Sequence, residues 1–527
     1  MNELDYAVIA VYLLGMVYLG FRFRGNRDEA DYFLGGKRFG WFAVGLSVMA
    51  TQLSAISFIS APAFVGAKAG GGMQWVSTEL HAPLTMLVLM TVVVPPLYRS
   101  GVISIYGFLE HRFSTLTRRL IGLVFLFNRA FATAIMLYTT SLVLDSTMQL
   151  DFTWSLIGIG VITILYSWQG GMRAVIYGDA VQMLILLVGT FVIAYFGVYY
   201  LGGWESTLAQ IPTERTVAVD LAALGINGDG DFGFWPLLIG GVFISVAYYG
   251  TDQSEAQRFL SARDLPTVRR TLLFVGLLRY PVVVLYALIG LVVGTFMLQQ
   301  PGLAAEIATT PDRLIPLFIR GYLPHGLIGL LVVVMLAASM ASLSSAINSL
   351  SAVTVEDYLP FLDKRLKNDP DRGVRYAKLA SIAWGVLCLL LATSTEAIAD
   401  TVIVAMGKIG SITYGPILAV FVLAATDRRA HATGANIGLV IGLLINLYLS
   451  LVATDWLFWI WWNVTGFFGA YLGGLVASRL LTGNVQPLTL ALQPDWSALR
   501  SREAGILLVW FVITLVVSFW WPDWLGG

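Results

Sequence analysis

The chain has 527 residues, and its 32 Lys and Arg residues balance its 32 Asp and Glu residues. Charged residues make up only 12% of the sequence and hydrophobic residues 57%, with a mean hydropathy of +0.77. A soluble protein carries about 25% charged residues, so this composition excludes a soluble globule and indicates a polytopic membrane protein. The zero net charge argues against a nucleic-acid partner, because phosphate binding requires a basic excess. The single cysteine, Cys388, excludes a disulfide within the chain.

Apolar runs of about 20 residues predict an all-α bundle of about 14 transmembrane helices. The predicted spans are 5–23, 40–66, 73–98, 119–148, 152–169, 175–201, 234–253, 270–298, 324–357, 373–395, 398–425, 431–453, 456–481 and 504–524. Acidic residues precede the first run where a cleaved signal peptide would be basic, so this helix is expected to be retained.

The basic residues between the spans predict the orientation of the chain. Most of them fall in alternate loops, whereas the remaining loops hold only Lys68, Arg215, Arg313 and Arg320. Because Lys and Arg concentrate on the cytoplasmic side, we expect both termini to lie outside. The sequence therefore predicts a multi-pass protein of the cell membrane, which in a bacterium is the inner membrane.

Charged residues inside the predicted spans are candidates for function, because charge is costly in a bilayer. They are Glu79, Arg129, Asp179, Arg279 and Lys408. For any one of them a structural ion pair is about as good an explanation as a functional role, since a buried charge needs a partner. Five such residues in one chain nevertheless favour an aqueous path through the bundle. No cluster of metal ligands or nucleophile–base pair stands out, so an enzyme is not predicted.

The second span is unusual because small and polar residues crowd its centre. They are Thr51, Gln52, Ser54, Ser57 and Ser60, followed by Pro62. Proline cannot donate a backbone hydrogen bond, so Pro62 predicts an interrupted helix. An interruption at mid-membrane exposes carbonyl oxygens that suit an alkali cation, and it is tolerated only where it lines a cavity. The alternative is a face of small residues that serves helix packing.

A second stretch, 337–351, is rich in Ala and Ser. On a helix, Ala338, Ser342, Ser345 and Ser349 lie on one face. Small residues at this spacing let two helices approach closely, and serine hydroxyls can also complete the oxygen shell of a cation. Both interpretations stand on this stretch alone, and its occurrence together with the interrupted span favours the ion site.

Motifs distributed along residues 1–480 resemble those of the sodium/solute symporter family. They include Asp31-Tyr-Phe-Leu-Gly-Gly-Lys-Arg, 50–63, 104–113, 170–182, Thr251-Asp-Gln-Ser-Glu-Ala-Gln-Arg-Phe-Leu and 344–357. The family includes bacterial proline, galactose and sialic-acid carriers and animal glucose, iodide and monocarboxylate carriers. Each motif is weak alone, but their order and positions make the resemblance strong.

The resemblance implies a core of five plus five helices related as an inverted repeat. The halves would be 40–201 and 234–426, joined by an external loop, 202–233. Residues 1–39 would add one helix and a cytoplasmic loop before the core, and 427–527 three helices after it. The implied function is sodium-coupled secondary active import of a small polar solute by alternating access. The implied partners are sodium, the solute and the bilayer, and no obligate protein partner is evident.

The family's main sodium site maps onto backbone carbonyls and two hydroxyl positions of this chain. These positions are Ala50, Leu53, Ala338, Ala341 and Ser342. Many relatives have serine where this chain has Ala341, and a methyl group cannot coordinate an ion, so we expect weak sodium affinity. Asp179, with Ser345, would mark the sodium exit or a second ion site. The missing hydroxyls favour one sodium per cycle, and proton-coupled or uncoupled transport stays open.

The substrate site implied by the resemblance surrounds the interrupted span. Its candidate residues are Gln52, Ser54, Ser57, Glu79, Arg129, Ser245, Arg279 and Lys408. Tyr248 falls where related sugar carriers have an aromatic inner gate. Glu79 and Arg279 favour a sugar or polyol, whereas Arg129 lies near the arginine with which sialic-acid carriers hold a carboxylate. A sugar, a sugar acid and a simple carboxylate all remain, as does a transporter-like sensor.

Overall fold

The computed structural model of the chain describes residues 1–53, 55–148, 151–228, 232–363, 369–394 and 402–525. Within these ranges the regular structure is helical, and β-structure is limited to two isolated bridges, which join Phe39 to Ala262 and Ile226 to Leu457. The predicted all-α class is therefore confirmed.

The first part of the chain folds into helices of very different lengths. They are α1 (Glu3–Arg22), α2 (Glu29–Leu34), α3 (Trp41–Gln52), α4 (Ala55–Gly66), α5 (Ala82–Val88), α6 (Val94–Ser100), α7 (Tyr106–Arg112), α8 (Thr115–Met148), α9 (Phe152–Tyr200) and α10 (Trp204–Gln210). A 3₁₀ segment, Met73–Glu79, and a π segment, Leu89–Val93, bring α5 and α6 into one apolar span, Met73–Ser100.

The second part continues the bundle with a long buried helix at its centre. Its helices are α11 (Gly241–Thr251), α12 (Gln253–Ser261), α13 (Leu265–Leu298), α14 (Ala304–Thr309), α15 (Leu314–Tyr322), α16 (Leu327–Val353), α17 (Leu359–Leu362), α18 (Pro370–Thr393), α19 (Val402–Thr426), α20 (Ala432–Leu451), α21 (Trp462–Leu480) and α22 (Arg502–Leu525). Nearly all of α16 is buried, although it contains many serines.

In the described part of the chain, nine helices are long and apolar enough to cross a membrane, and the pair α3–α4 makes a tenth candidate. Two shorter apolar helices, Pro236–Thr251 and Gly410–Thr426, add to these. Every predicted span overlaps a helix. The multi-pass architecture is therefore confirmed, while the count of 14 and the inverted repeat stay predictions.

The longest helix, α9, contains two of the predicted spans, 152–169 and 175–201. A straight helix of its 49 residues would be roughly 74 Å long, more than twice the thickness of the hydrocarbon core. Gly171 interrupts α9 with φ 55° and ψ −148°. A Cβ at this position would lie 2.6 Å from the carbonyl oxygen of Tyr32, so both the conformation and the contact require glycine.

The interruption that the sequence predicts in the second span is present. α3 ends at Gln52, Leu53 has a non-helical φ of −94° and ψ of 74°, and the two helical halves are bent by 59°. Pro62 does not mark the break, because it lies inside α4. A proline deprives only one preceding carbonyl of its donor, and α4 accommodates it. The polar stretch before it, rather than the proline, coincides with the end of α3.

Glycines bring α4 and α13 into backbone contact. A Cβ on Gly66 would lie 2.0 Å from the carbonyl oxygen of Gly290, and a Cβ on Gly294 would lie 2.5 Å from the carbonyl oxygen of Gly66. Small residues at such crossings let membrane helices approach closely. The second half of the interrupted span is thereby packed against α13.

The first helix is tied to α16 by a buried carboxylate. Asp5 accepts hydrogen bonds from the backbone N–H groups of Gly326 (2.6 Å) and Gly329 (2.9 Å), at the start of α16. The same carboxylate accepts from the backbone N–H of Asn2 at the start of α1. A negative charge is favourable at both helix N-termini, so Asp5 fixes α1 against α16.

Candidate functional site

A cavity of about 310 Å³ lies beside the end of α3, between α8, α11, α16 and α19. Its polar wall is formed by Gln52 of α3, Asn128 and Thr133 of α8, and Ser245 of α11. The side-chain nitrogen of Gln52 is buried and has no hydrogen-bond partner among the described residues. An unpaired buried donor is costly, so this nitrogen is a candidate donor to a bound solute.

One end of the cavity is formed by an arginine and two tyrosines. Arg129 of α8 donates from Nη1 to the Tyr248 hydroxyl at 3.3 Å, and its guanidinium lies 5.8 Å from the centre of that ring. The ring of Tyr248 meets that of Tyr414 edge-on at 5.9 Å. Arg129 Nε is buried and has no hydrogen-bond partner among the described residues. The cavity therefore contains a cationic group with unused hydrogen-bonding capacity.

Behind these rings lies Asp252, at the junction of α11 and α12. Its Oδ2 accepts from the Tyr414 hydroxyl at 3.4 Å and lies 3.7 Å from Nη1 of Arg129. Its Oδ1 caps α12 by accepting from the backbone N–H of Ser254 at 2.8 Å. Asp252 is 3% exposed. Among the described residues it is the carboxylate that pairs with Arg129.

Next to the cavity, the end of α3 faces the serine-rich part of α16. The hydroxyl of Ser342 lies 3.4 Å from the carbonyl oxygen of Thr51 and 3.3 Å from that of Ala338. Thr51 and Ser342 also line the cavity. Both distances exceed the usual 2.5–3.0 Å of hydroxyl hydrogen bonds, so these oxygens are only loosely bonded to one another. They are hard neutral ligands of the kind that an alkali cation prefers.

Below Thr51, an arginine of α12 fills a polar cluster. Arg258 donates from Nη2 to Oδ2 of Asp179 at 2.9 Å and from Nε to the Ser47 hydroxyl at 2.8 Å. It also bonds to the hydroxyls of Thr51 and Ser345. Arg258 is 1% exposed and Asp179 fully buried. The charge of Asp179 is thus compensated by an arginine of the chain, and α3, α9, α12 and α16 are joined at one point.

Glu79 and Arg279 pair with each other away from the cavity wall. Arg279 binds both carboxylate oxygens of Glu79, with Nε to Oε2 at 2.9 Å. Between this pair and the cavity stands His81, whose Nε2 lies 3.4 Å from the Ser245 hydroxyl. The sequence left open whether these two charges serve the substrate or form a structural ion pair. The geometry agrees with the ion pair.

The predicted substrate residues therefore separate into two groups. Gln52, Arg129 and Ser245 line the cavity, together with the predicted gate Tyr248. Four others are not among the residues that line the cavity in the described part of the chain: Ser57, Glu79, Arg279 and Lys408. Ser54 lies outside the described residues.

Several residues of the site were not predicted. Asn128, Thr133 and Tyr414 line the cavity but occur in ordinary apolar helices, where nothing in the sequence distinguishes them. Arg258 lies between the predicted spans 234–253 and 270–298, so the spans predict a cytoplasmic loop there, whereas the structure buries it in α12. The motif Thr251–Leu260 was the available signal, since it contains both Asp252 and Arg258.

An interrupted membrane helix, a partner helix rich in hydroxyls and a polar cavity between them define a secondary transporter. The family model of the sodium:solute symporter family matches residues 32–442. The chain belongs to this family and is a sodium-coupled solute symporter.

Two relatives indicate the range of the family. The chain is 29% identical over 459 residues to the sodium/iodide cotransporter of Homo sapiens, covering 85% of this chain and 70% of that protein. It is 28% identical over 484 residues to the sodium/sialic acid symporter of Proteus mirabilis, covering 90% and 95%.

Solved structures agree with the fold. A Na⁺-coupled sialic acid symporter in a substrate-bound outward-open state matches with a TM-score of 0.81 and 26% identity, covering 92% of this chain and 99% of that one. A transporter of the nucleobase-cation-symport-1 family matches with a TM-score of 0.59 and 12% identity, covering 91% and 99%, which shows a shared fold alone.

Proposed function

We propose that the chain imports a small organic acid together with sodium by alternating access. The observation that supports this substrate is Arg129, which lines the cavity and whose buried Nε has no hydrogen-bond partner among the described residues. A guanidinium binds a carboxylate through charge-assisted, often bidentate hydrogen bonds. The similarity to a sialic acid symporter, and to a sodium-coupled monocarboxylate transporter of Bos taurus at 26% identity, agrees with an acidic substrate.

Among organic acids, a sugar acid suits the cavity better than a simple carboxylate. The groups around Arg129 are amides and hydroxyls, from Gln52, Asn128, Thr133 and Ser245. Asn128 already donates to Thr413, and Thr133 to the carbonyl of Arg129, but the oxygens of both side chains can still accept from sugar hydroxyls. The unpaired nitrogen of Gln52 can donate to one. A neutral sugar is less well supported, because Glu79, which would bind its hydroxyls, is already paired with Arg279.

We further propose that sodium binds at the break between α3 and α4. The carbonyls of Ala50, Leu53 and Ala338 and the hydroxyl of Ser342 would be its ligands, and the methyl group of Ala341 would contribute none. The approach of Ser342 to Thr51 and Ala338 supports this placement. Because Ser342 and Thr51 belong to the cavity wall as well, ion and substrate would be in adjacent positions.

One sodium per cycle agrees with the polar cluster below this position. Asp179 and Ser345, the candidates for a second ion site, are both bonded to Arg258. One sodium ion and one monovalent acid together carry no net charge. Uptake would then follow the sodium concentration gradient and not the membrane potential, whereas one sodium with a neutral sugar would move one charge per cycle.

The experiment is uptake by purified protein in liposomes, with sialic acid, lactate and galactose as probes. We expect acid uptake to require sodium, to stop in choline and to be unaffected by a potassium-diffusion potential. Arg129→Ala should abolish it, and Arg320→Ala, at an exposed arginine of α15, is the matched control. Acid uptake that continues undiminished in choline, or in Arg129→Ala, would refute the proposal.

The topology is part of the same proposal. Repeats over 40–201 and 234–426, flanked by 1–39 and 427–527 and separated by the loop 202–233, would cross the cell membrane with both termini outside. An impermeant maleimide tests it in a Cys388→Ser background. It should label Gly302→Cys in intact cells and leave His111→Cys unlabelled, and the opposite pattern would invert the orientation. Both positions are exposed on the protein.

A further inference from the structure

Arg129 lines the cavity and also lies close to a carboxylate of the chain. Its Nε is buried and has no hydrogen-bond partner among the described residues, and its Nη1 lies 3.7 Å from Oδ2 of Asp252. That separation is longer than a hydrogen bond, so the pair is electrostatic and incompletely formed. Both side chains are buried, at 8% and 3% exposed, so the attraction between them is screened only weakly by water.

Asp252 also joins α11 to α12, the helix that contains Arg258. It has a non-helical φ of −92° and ψ of 124° between α11 and α12, and it caps α12. α12 is buried along its whole length, and Gln253 at its start accepts from the backbone N–H of Ile105 at 2.8 Å. A shift of Asp252 therefore moves the beginning of a helix that is packed among its neighbours.

We propose that Asp252 is a specificity-determining residue: it is an internal carboxylate that competes with the carboxylate of the substrate for Arg129. This inference rests on the proposed function, because it assumes an acidic substrate on Arg129. When the substrate binds, its charge replaces that of Asp252 as the counter-ion of Arg129. Asp252 then keeps its bonds to the Tyr414 hydroxyl and to the backbone N–H and hydroxyl of Ser254 but loses its attraction to Arg129, which loosens the junction between α11 and α12.

Competition of this kind makes a selective prediction about affinity. A ligand binds more weakly when its site is partly occupied by a competing group, in proportion to the fraction of protein in the competent state. A neutral sugar does not need Arg129 and gains nothing from removal of Asp252. A solute without charge is therefore the internal control for an acid of similar size.

The test is Asp252→Asn, which retains an oxygen for the cap and removes the charge. We expect affinity for sialic acid or lactate to rise about tenfold, as if nine-tenths of the protein had been in the competing state. Affinity for galactose should not change. Asp264→Asn, which alters the equivalent cap of α13 on the surface, is the matched control. Binding is measured by ligand-dependent thermal shift in sodium.

The outcomes separate this inference from the proposed function. Acid affinity that is unchanged or lower in Asp252→Asn, while the unaltered protein binds the acid through Arg129, overturns the competition and leaves the function intact. If neither acid binds the unaltered protein or Asp252→Asn, both fail. If Asp252→Asn does not fold, Asp252→Ser replaces it in the test, because a serine hydroxyl can also cap α12 and carries no charge.

A second measurement reports on α12 without any ligand. Ala256 lies on α12 and is 2% exposed, so a cysteine placed there in a Cys388→Ser background is protected while the junction is closed. Asp252→Asn should raise the alkylation rate of Ala256→Cys severalfold, and Asp264→Asn should not. An unchanged rate would overturn the proposed link between Asp252 and the position of α12.

Discussion

Replacing Ser342 by alanine removes the single side-chain hydroxyl that we assign to the sodium ion. Among the described residues this hydroxyl makes two long contacts, at 3.4 Å and 3.3 Å, so its loss should cost the fold little. An interaction of a polar group with a full charge contributes about 1.5–3 kcal/mol. The sodium concentration that half-activates uptake should therefore rise by about 10- to 150-fold.

The matched control is Ser344→Ala on the same helix. Ser344 is fully buried and donates to the carbonyl of Ala341 at 3.1 Å, but it is not part of the cavity wall. We expect its sodium activation to remain unchanged, and thermal stability of both variants shows that each is folded. A folded Ser342→Ala variant with normal sodium activation would refute the placement of the ion.

Three further predictions concern the scaffold. Glu79→Gln should destabilise the detergent-purified protein by about 3–5 kcal/mol because it leaves an unpaired buried charge on Arg279. Adding Arg279→Gln should restore part of the melting temperature. A Glu79→Gln variant as stable as the unaltered protein would contradict this prediction. Gly290→Ala should cost about 1–3 kcal/mol, since its methyl would lie 2.6 Å from the carbonyl oxygen of Pro62, and Gly15→Ala, with open space around it, is the control. Burial would raise the pKa of Asp495, but the Ser497 hydroxyl, Arg99 and Arg269 together lower it below 3.8. The ion pairs should be fully formed above about pH 4 and lost as pH falls through the lowered pKa. The rate of limited proteolysis within 482–501 should therefore increase below about pH 4. In Asp495→Asn this rate should not change with pH in the same range, and a rate that still increases would show that Asp495 is not the cause.

The helices and the interrupted span could be predicted because their signals are local. Apolar runs fix the spans, and the polar stretch around Thr51 and Gln52 coincides with the end of α3. The prediction that Pro62 interrupts the span was wrong, because Pro62 lies within a continuous helix. A single missing donor is a weaker signal than a group of polar side chains that bond to the backbone, as Thr51 does to Ser47.

Contacts between distant residues could not be predicted. Glu79 and Arg279 lie 200 positions apart, and Ser47 and Arg258 lie 211 apart. Nothing in either neighbourhood distinguishes a charge that faces a cavity from one that is paired inside the bundle. The same holds for Asp252, whose position behind Tyr248 and Tyr414 depends on how α8, α11 and α19 meet.

The buried carboxylate of Asp5 connects α1 mechanically to α16. One side of α1 is exposed, with Val11, Leu14 and Tyr18 about 70% accessible, so lipid chains surround it. Its other side is fixed to α16, the helix that also contains Ala338 and Ser342. A thinner or thicker bilayer that tilts α1 would pull on the helix to which we assign two of the sodium ligands, so we expect the lipid composition of the host membrane to change the sodium coupling.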